Sequence, residues 1–175
     1  MTRRTRLALA TPVLVALAAC VVNLSFDMDQ SGLALQAPAA GTASQSVLVD
    51  LGNYSNVRDH QKDIRSLDLE YLDVTITEIK PTNAAQTLSF SVAMRRNLND
   101  PPSMDVKVGD LQSFPVVLNS TRRIPGNAAL DAFLLERLHE GGKFYLVMSG
   151  STDGKTDLVL DVNLHASMGY ETGLF

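Results

Sequence analysis

The chain has 175 residues, of which 45% are hydrophobic and 19% are charged, and it contains one cysteine and no tryptophan. A single cysteine excludes an intramolecular disulfide framework and a cysteine-rich zinc module, and the ordinary charged fraction disfavours a disordered chain. The net charge of −4 disfavours a nucleic-acid partner, because binding to nucleic acid needs a concentrated basic surface.

The first twenty residues have the composition of an export signal. Three arginines within the first six residues precede an apolar run at residues 7–19. A run of thirteen residues is too short for a helix that spans a bilayer, which needs about 20 apolar residues. We therefore predict that residues 1–19 are a removable signal peptide and that residues 20–175 form one domain.

The cysteine directly follows the predicted signal peptide. The sequence Leu17-Ala18-Ala19-Cys20 resembles the lipobox of bacterial lipoproteins. The resemblance implies that Cys20 becomes the N-terminus and carries a lipid on its sulfur, so that two or three acyl chains hold the protein on a membrane. Val21 stands where an Asp would favour the inner membrane in lipoproteins that obey this sorting rule, so the outer membrane is implied if the organism has one. An ordinary secreted protein with a free thiol at residue 20 is the alternative.

Alternation of apolar and polar residues predicts strands through most of the remaining chain. We expect about eight strands, at residues 22–28, 46–51, 67–79, 87–96, 104–108, 114–118, 144–149 and 157–168. The apolar positions change parity between Tyr71 and Leu72, which predicts a β-bulge or a bend at that point. The segment 31–46 is rich in Ala, Gly, Ser and Thr and is predicted to be a flexible loop.

Two segments have helical spacing instead. Residues 128–140 are predicted to form an amphipathic helix, with Asn127 as its N-cap and Gly141 and Gly142 at its end. A second, shorter helix is predicted at residues 55–63. Many strands and one clear helix predict a mainly β protein, an antiparallel β-sandwich with the amphipathic helix packed at an end or edge.

One group of polar residues is a candidate calcium site. Asp27, Asp29 and Ser31, followed by Gly32, match the start of a calcium-binding loop. The twelfth position of such a loop should be a bidentate Glu, but here it is Pro38. A strand that ends in a polar turn explains these residues equally well, so no metal other than this candidate is predicted.

A second group is a candidate surface site. Asp161, Asn163 and His165 lie on the polar side of the last predicted strand. A histidine beside acidic and amide side chains is a constellation that can bind a ligand or transfer a proton. The alternative is the solvated face that any half-buried sheet presents.

Motifs of catalysis and cofactor binding are missing from the sequence. It has no Gly-x-Ser-x-Gly motif, no glycine-rich phosphate loop and no pair of histidines at metal-ligand spacing. We therefore expect no enzymatic activity and no cofactor. The four tyrosines disfavour an aromatic platform for sugars, and only Tyr54 and Tyr170 lie in loop-like sequence where they could build one.

Taken together, the sequence predicts a membrane-anchored bacterial lipoprotein with a non-catalytic binding, scaffolding or structural role at the cell envelope. The expected partners are the membrane, through the lipid anchor, and an envelope protein, with no nucleic acid and with the small-molecule ligand left open. Two alternatives are a carrier or sensor of a hydrophobic ligand, whose pocket Phe133, Leu134 and Leu138 would line, and an envelope hydrolase built around His165.

Overall fold

The computed structural model describes residues 20–172, and eight strands and two α-helices follow one another in this part of the chain. The strands are β1 (Cys20–Ala37), β2 (Gly41–Asp50), β3 (Ile64–Ile79), β4 (Thr87–Arg95), β5 (Val106–Pro115), β6 (Thr121–Pro125), β7 (Lys143–Thr152) and β8 (Thr156–Thr172). The helices are α1 (Ser55–His60) and α2 (Ala128–His139). The predicted signal peptide, residues 1–19, lies outside the described residues.

The strands form two four-stranded antiparallel sheets. The first sheet has the order β1-β8-β3-β6, and the second has the order β2-β7-β4-β5. Consecutive strands lie in opposite sheets except β4 and β5, which pair with each other, and this connectivity is that of an eight-stranded jelly roll. The predicted fold class, a mainly β antiparallel sandwich of about eight strands, is confirmed.

Alternating side chains of both sheets fill the space between them. On β8 every second residue from Leu158 to Met168 is at most 3% exposed, and on β4 the same holds from Leu88 to Met94. A sheet with one face on the core and the other in water produces this two-residue period. Both strands therefore lie close to where the alternation predicts them.

The prediction of a flexible loop at residues 31–46 is wrong. β1 continues to Ala37 and β2 already begins at Gly41, so only a short turn separates them. Leu33, Leu35 and Ala37 are at most 8% exposed. The segment does have a two-residue alternation, but its residues are small or polar and the alternation is difficult to recognise in the sequence. The segment forms strands because the opposite sheet covers its apolar side.

β1 continues through the polar stretch that could have been a turn, and it contains a β-bulge there. The register of β1 against β8 shifts between Gln30 and Leu33. Gly32 adopts a φ of +73° there, a conformation that residues with a side chain rarely adopt. The strand consequently bends without ending.

The strands predicted at residues 104–108 and 114–118 are a single strand, β5, which ends at Pro115. Its register against β4 shifts at two places, so the apolar positions do not alternate along its whole length. The sequence also gives no sign of β6, because only Ile124 of its five residues is buried. A short edge strand with one buried side chain has no period to detect.

The amphipathic helix is confirmed as α2. The side chain of Asn127 accepts hydrogen bonds from the backbone N–H groups of the second and third helical residues, at 3.0 and 3.3 Å, and is the predicted N-cap. α2 packs against β3, β5 and β7 and so bridges the two sheets. Phe133 meets Phe144 of β7 edge to face, with ring centroids 5.8 Å apart.

The shorter helix, α1, ends at His60 and is held by Val57, which is 1% exposed. Gln61 follows it and donates its side-chain amide to the carbonyl oxygen of Leu138, at 2.9 Å. This contact ties the connection between β2 and β3 to the end of α2. No helix within residues 20–172 has the length and hydropathy that crossing a bilayer requires.

Candidate functional site

The outer face of the first sheet carries the polar row that the sequence indicates on β8. Asp161 accepts the backbone N–H of Gly32 at 2.9 Å, and the side chain of Asn163 donates to Asp29 at 2.6 Å. Asp161 therefore contacts β1 away from His165, whereas Asn163 bonds to Asp29 and also helps to lower the pKa of Asp27. His165 alone is the centre of a larger group of side chains.

His165 lies between two carboxylates that come from the strands on either side of β8. Its Nδ1 is 2.8 Å from Oδ1 of Asp27 on β1, which is a hydrogen-bonding distance. Its Nε2 is 3.6 Å from Oε2 of Glu70 on β3, which is beyond hydrogen-bonding distance. The imidazole is 21% exposed, whereas the side chains of Asp27 and Glu70 are 52% and 46% exposed. Both ring nitrogens thus face acids.

A β-bulge in β3 places Glu70 beside the imidazole. The register of β3 against β8 shifts between Leu69 and Tyr71, so Glu70 has no partner residue on β8. Leu69 and Leu72 are buried, whereas Glu70 and Tyr71 lie outside the core. The bulge predicted from the change of parity is therefore present, at Glu70.

Tyr71 extends the group across β3 to β6. Its ring stacks on the imidazole of His165, with centroids 4.8 Å apart and planes inclined by 15°. The guanidinium carbon of Arg123 lies 3.5 Å from the centroid of the same tyrosine ring. Arg123 also donates two hydrogen bonds to Asp73, at 2.8 and 2.6 Å. We call these side chains the outer-face cluster: Asp27, Glu70, Tyr71, Asp73, Arg123 and His165.

Contacts within the outer-face cluster stabilise the charged forms of Asp27 and Arg123. The hydrogen bond with His165 lowers the pKa of Asp27 below its ordinary value, although desolvation acts in the opposite direction. The hydrogen bonds to Asp73 raise the pKa of Arg123. Asp27 is therefore an ionised, oriented acceptor at neutral pH, and Arg123 is a permanent cation.

The outer-face cluster does not have the geometry of a hydrolase. In a Ser-His-Asp triad one ring nitrogen of the histidine takes the proton of the nucleophile, and only the other nitrogen faces an acid. In His165 both nitrogens face carboxylates and the ring lies against Tyr71. The arrangement can hold an acceptor in place, and the nitrogen that would take the proton of a nucleophile lies beside Glu70 instead.

A depression of about 450 Å³ lies beside Asp27. We call it the Asp27 depression, and its lining is mainly polar: Phe26, Asp27, Asn53, Tyr54, Ser55 and Asn56. The hydroxyl of the half-buried Tyr54 accepts a hydrogen bond from the side chain of Gln30 at 3.0 Å. Within residues 20–172, the side chains of Asn53, Ser55 and Asn56 have no hydrogen-bond partner of their own, so these groups are available to a ligand.

The Asp27 depression is not evident in the sequence. Its residues come from β1 and from the connection between β2 and β3, which are separated by the whole of β2. Only the loop-like position of Tyr54 pointed to it. The second tyrosine considered for an aromatic platform, Tyr170, instead stacks on His60 with ring centroids 4.2 Å apart.

The candidate calcium loop is not formed. Asp27 and Asp29 lie within the extended strand β1 and contact His165 and Asn163, while Ser31 belongs to the bulge. These side chains do not converge on a common point, as the ligands of a calcium loop would. In the described part of the chain, no three His, Cys, Asp or Glu side chains are grouped in a way that could hold a metal ion.

The residues suggested for a hydrophobic ligand pocket belong to the core. Phe133, Leu134 and Leu138 of α2 are at most 5% exposed and pack with the apolar residues of both sheets. They close the sandwich, although Phe133 also borders a depression of about 330 Å³ between α2 and β5. The physical reason is that α2 needs its apolar side to cover the open part of the core.

Comparison with known proteins gives fold neighbours only. No family model and no curated protein matches the chain. A chain of Desmodium yellow mottle tymovirus is 15% identical, with 98% of this chain and 99% of that chain covered and a TM-score of 0.38. The decameric BFDV capsid protein is 8% identical, with 85% and 99% covered and a TM-score of 0.42. A chain of Cocksfoot mottle virus is 12% identical, with 99% and 98% covered and a TM-score of 0.39.

These neighbours contradict the function predicted from the sequence. All three come from viruses, and the BFDV chain is a capsid protein, whereas the prediction was a membrane-anchored lipoprotein at the cell envelope, with a hydrophobic carrier and an envelope hydrolase as alternatives. With TM-scores below 0.5, the likeness itself assigns no function to this chain. The lipidation of Cys20, the membrane partner and the outer-membrane location stay predictions, because nothing in residues 20–172 tests them.

Proposed function

We propose that this chain is a non-catalytic recognition domain that binds a hydroxyl-rich ligand of the carbohydrate class in the Asp27 depression. One observation carries the proposal. His165 holds the carboxylate of Asp27 at 2.8 Å, where it lines a depression in which Asn53, Ser55 and Asn56 have no side-chain partner among the described residues.

The lining has the hydrogen-bonding chemistry that sugar hydroxyls need. Each sugar hydroxyl both donates and accepts, and so do the side-chain amides of Asn53 and Asn56 and the hydroxyl of Ser55. The carboxylate of Asp27 is a pure acceptor when ionised. The lining contains no cation, so it suits a neutral or amino sugar and disfavours a phosphate or a sulfate.

Tyr54 supplies the apolar part of the lining, together with Phe26. Burial raises the pKa of Tyr54, so its hydroxyl is protonated and neutral near pH 7. The hydrogen bond from Gln30 restrains the ring before a ligand arrives. An aromatic body with a polar tip is a common element of recognition sites, because it contacts the carbon skeleton of a ligand and leaves its hydroxyls to polar groups.

The outer-face cluster acts in this proposal by positioning Asp27. His165 is itself held by the stack with Tyr71, and Tyr71 is held by Arg123. A carboxylate whose neighbours are locked in this way loses little conformational freedom when it binds. The proposal therefore gives His165 a positioning role, through its hydrogen bond to Asp27 and its stack on Tyr71.

The proposal is tested on an array of neutral and amino-sugar oligosaccharides, with calorimetric titration of those that are retained. Asp27→Asn and Asn53→Ala are each expected to raise the dissociation constant at least about tenfold, equivalent to about 1.4 kcal/mol. Asp59→Asn is the matched control, because Asp59 is 60% exposed and does not line the Asp27 depression.

Two results would reject the proposal. One is an array on which no oligosaccharide is retained, and the other is a retained oligosaccharide that Asp27→Asn and the control bind equally well. Turnover of a bound oligosaccharide to a product would contradict the non-catalytic assignment.

A further inference from the structure

Between its two ends, Gly41 with a φ of +145° and the charged Asp50, the outer edge of β2 lacks the features that protect sheet edges. β2 pairs with β7 over ten residues without a register shift. Residues 41–49 contain no charged residue and no proline. No strand within residues 20–172 pairs with the other side of β2, so a regular row of backbone N–H and C=O groups is left there.

The other three sheet edges are protected. β1 carries the charges of Asp27 and Asp29 and a bulge at Gly32. β5 has two register shifts and a residue with positive φ, Ser113 at 48°. β6 is only five residues long and ends in Pro125. Charges, bulges, proline and short length are the means by which proteins prevent pairing between edges, so the bare β2 edge is an exception within this fold.

We propose that β2 pairs with β2 of a second copy of this chain, antiparallel and across a two-fold axis. The second sheets of the two copies then form one continuous eight-stranded sheet. A strand that pairs with itself must be free of charge repulsion at every opposed position, and residues 41–49 meet this condition. Nine paired residues give a contact about 30 Å long.

The exposed side chains of β2 select the register. Ala43 and Val49 are buried in the core, so the alternation of the strand places Thr42, Ser44, Ser46 and Leu48 on its outer face. An axis through Gln45 keeps outer residues opposite outer residues. It also places Leu48 opposite Thr42 of the partner subunit, and Ser44 opposite Ser46 of the partner subunit.

This register matches a protrusion to a depression. Leu48 is 46% exposed, although it is a large apolar side chain. The other half of β2 borders a depression of about 620 Å³, lined by Thr42, Ala43, Ser44, Ser149, Gly150 and Ser151. The two-fold axis brings Leu48 of each copy to the depression of the other. Two apolar side chains are thereby removed from water, which favours association.

The test is the oligomeric state of the full chain by sedimentation velocity and light scattering over a range of concentrations. Wild type is expected to show a monomer–dimer equilibrium. The double variant Ser44→Lys/Ser46→Lys opposes like charges twice across the axis and should raise the dissociation constant at least about tenfold. The double variant Ser44→Glu/Ser46→Lys opposes unlike charges in the same register and should remain dimeric.

Gln112→Lys, which places the same charge on the exposed part of β5 at another edge, is the matched control and should dimerise like wild type. Thermal unfolding verifies that each variant is folded. A monomeric wild type, a dimer that the two lysines do not weaken, or a Glu/Lys variant that fails to dimerise while folded would each overturn the proposal. Binding of an unrelated protein to β2 of a monomeric chain would likewise overturn it. Because these variants lie outside the Asp27 depression, their outcome is separate from that of the ligand-binding test.

Discussion

His165 on β8 and Tyr71 on β3 lie opposite each other in the register of the first sheet, and their rings stack with centroids 4.8 Å apart. This pair joins the two edges of the sheet, because His165 bonds to Asp27 on β1 and Tyr71 contacts Arg123 on β6. One continuous line of side chains therefore crosses all four strands and ends at the Asp27 depression.

The first prediction concerns the stacked ring. Tyr71→Leu removes the surface on which both His165 and Arg123 lie, and it should lower the free energy of unfolding by about 1–2 kcal/mol, the sum of an aromatic pair and an exposed cation–π contact. Tyr71→Phe keeps the ring and should cost much less. Urea unfolding of both variants measures the difference, and equal losses would show that the stack is not stabilising.

The second prediction concerns the carboxylate of Asp27. Because the bond with His165 lowers the pKa of Asp27 in the folded chain, its contribution to stability is complete above its ordinary pKa of 3.8 and is lost as the pH falls through the lowered value. A carboxyl-carbon NMR titration should give a pKa below 3.8 in wild type and a higher value in His165→Leu. An unchanged pKa in that variant would contradict the assigned cause.

The same linkage gives an independent check by denaturation. Asp27→Asn cannot titrate, so its loss of stability in acid should be shallower than that of wild type over the range below the ordinary Asp pKa. An acid-unfolding curve of Asp27→Asn that is as steep as that of wild type would contradict this linkage.

The third prediction concerns the packing of α2. Leu134 is fully buried, whereas Leu135 is only partly buried at the margin of the core. Leu134→Ala should lower the free energy of unfolding by about 2–5 kcal/mol, because the helix cannot move inward to fill the space. Leu135→Ala is the matched control and should cost clearly less. A similar cost for both would mean that the core under α2 is loosely packed.

The fourth prediction concerns two glycines that lie close to other chain segments for different reasons. A Cβ on Gly150 of β7 would lie 2.0 Å from the carbonyl oxygen of Ser89, which is part of the paired backbone of β4. A Cβ on Gly109 of β5 would lie 2.5 Å from a methyl group of Ile124, which is a side-chain atom of the short strand β6 and not paired backbone. Gly150→Ala should therefore lower the melting temperature far more than Gly109→Ala, as thermal unfolding can show.

Several elements were predictable because their signals are local. The alternation of β4 and β8 and the helical spacing of α2 each lie within one continuous segment, and Asn127 bonds to the helix that follows it directly. The loop predicted at residues 31–46 failed for the opposite reason. Its side chains are small, and their alternation produces strands only because the second sheet covers the apolar side.

In the candidate site, too, the local features were predictable and the contacts between distant segments were not. His165 was predictable as a polar residue on an outward strand face, because alternation alone decides which way it points. Its partners were not predictable, since Asp27 and Glu70 are 138 and 95 positions away along the chain and reach it only through strand register and a bulge.

Where a segment has a clear local period, as in β4, β8 and α2, the sequence by itself determined which residues turn to the core and which turn to water. The tertiary structure decided which outward side chains meet. A shift of one residue in β1 or β3 would move Asp27 or Tyr71 away from His165 and disperse the outer-face cluster. That register is set by the packing of the whole sandwich, which no single segment contains.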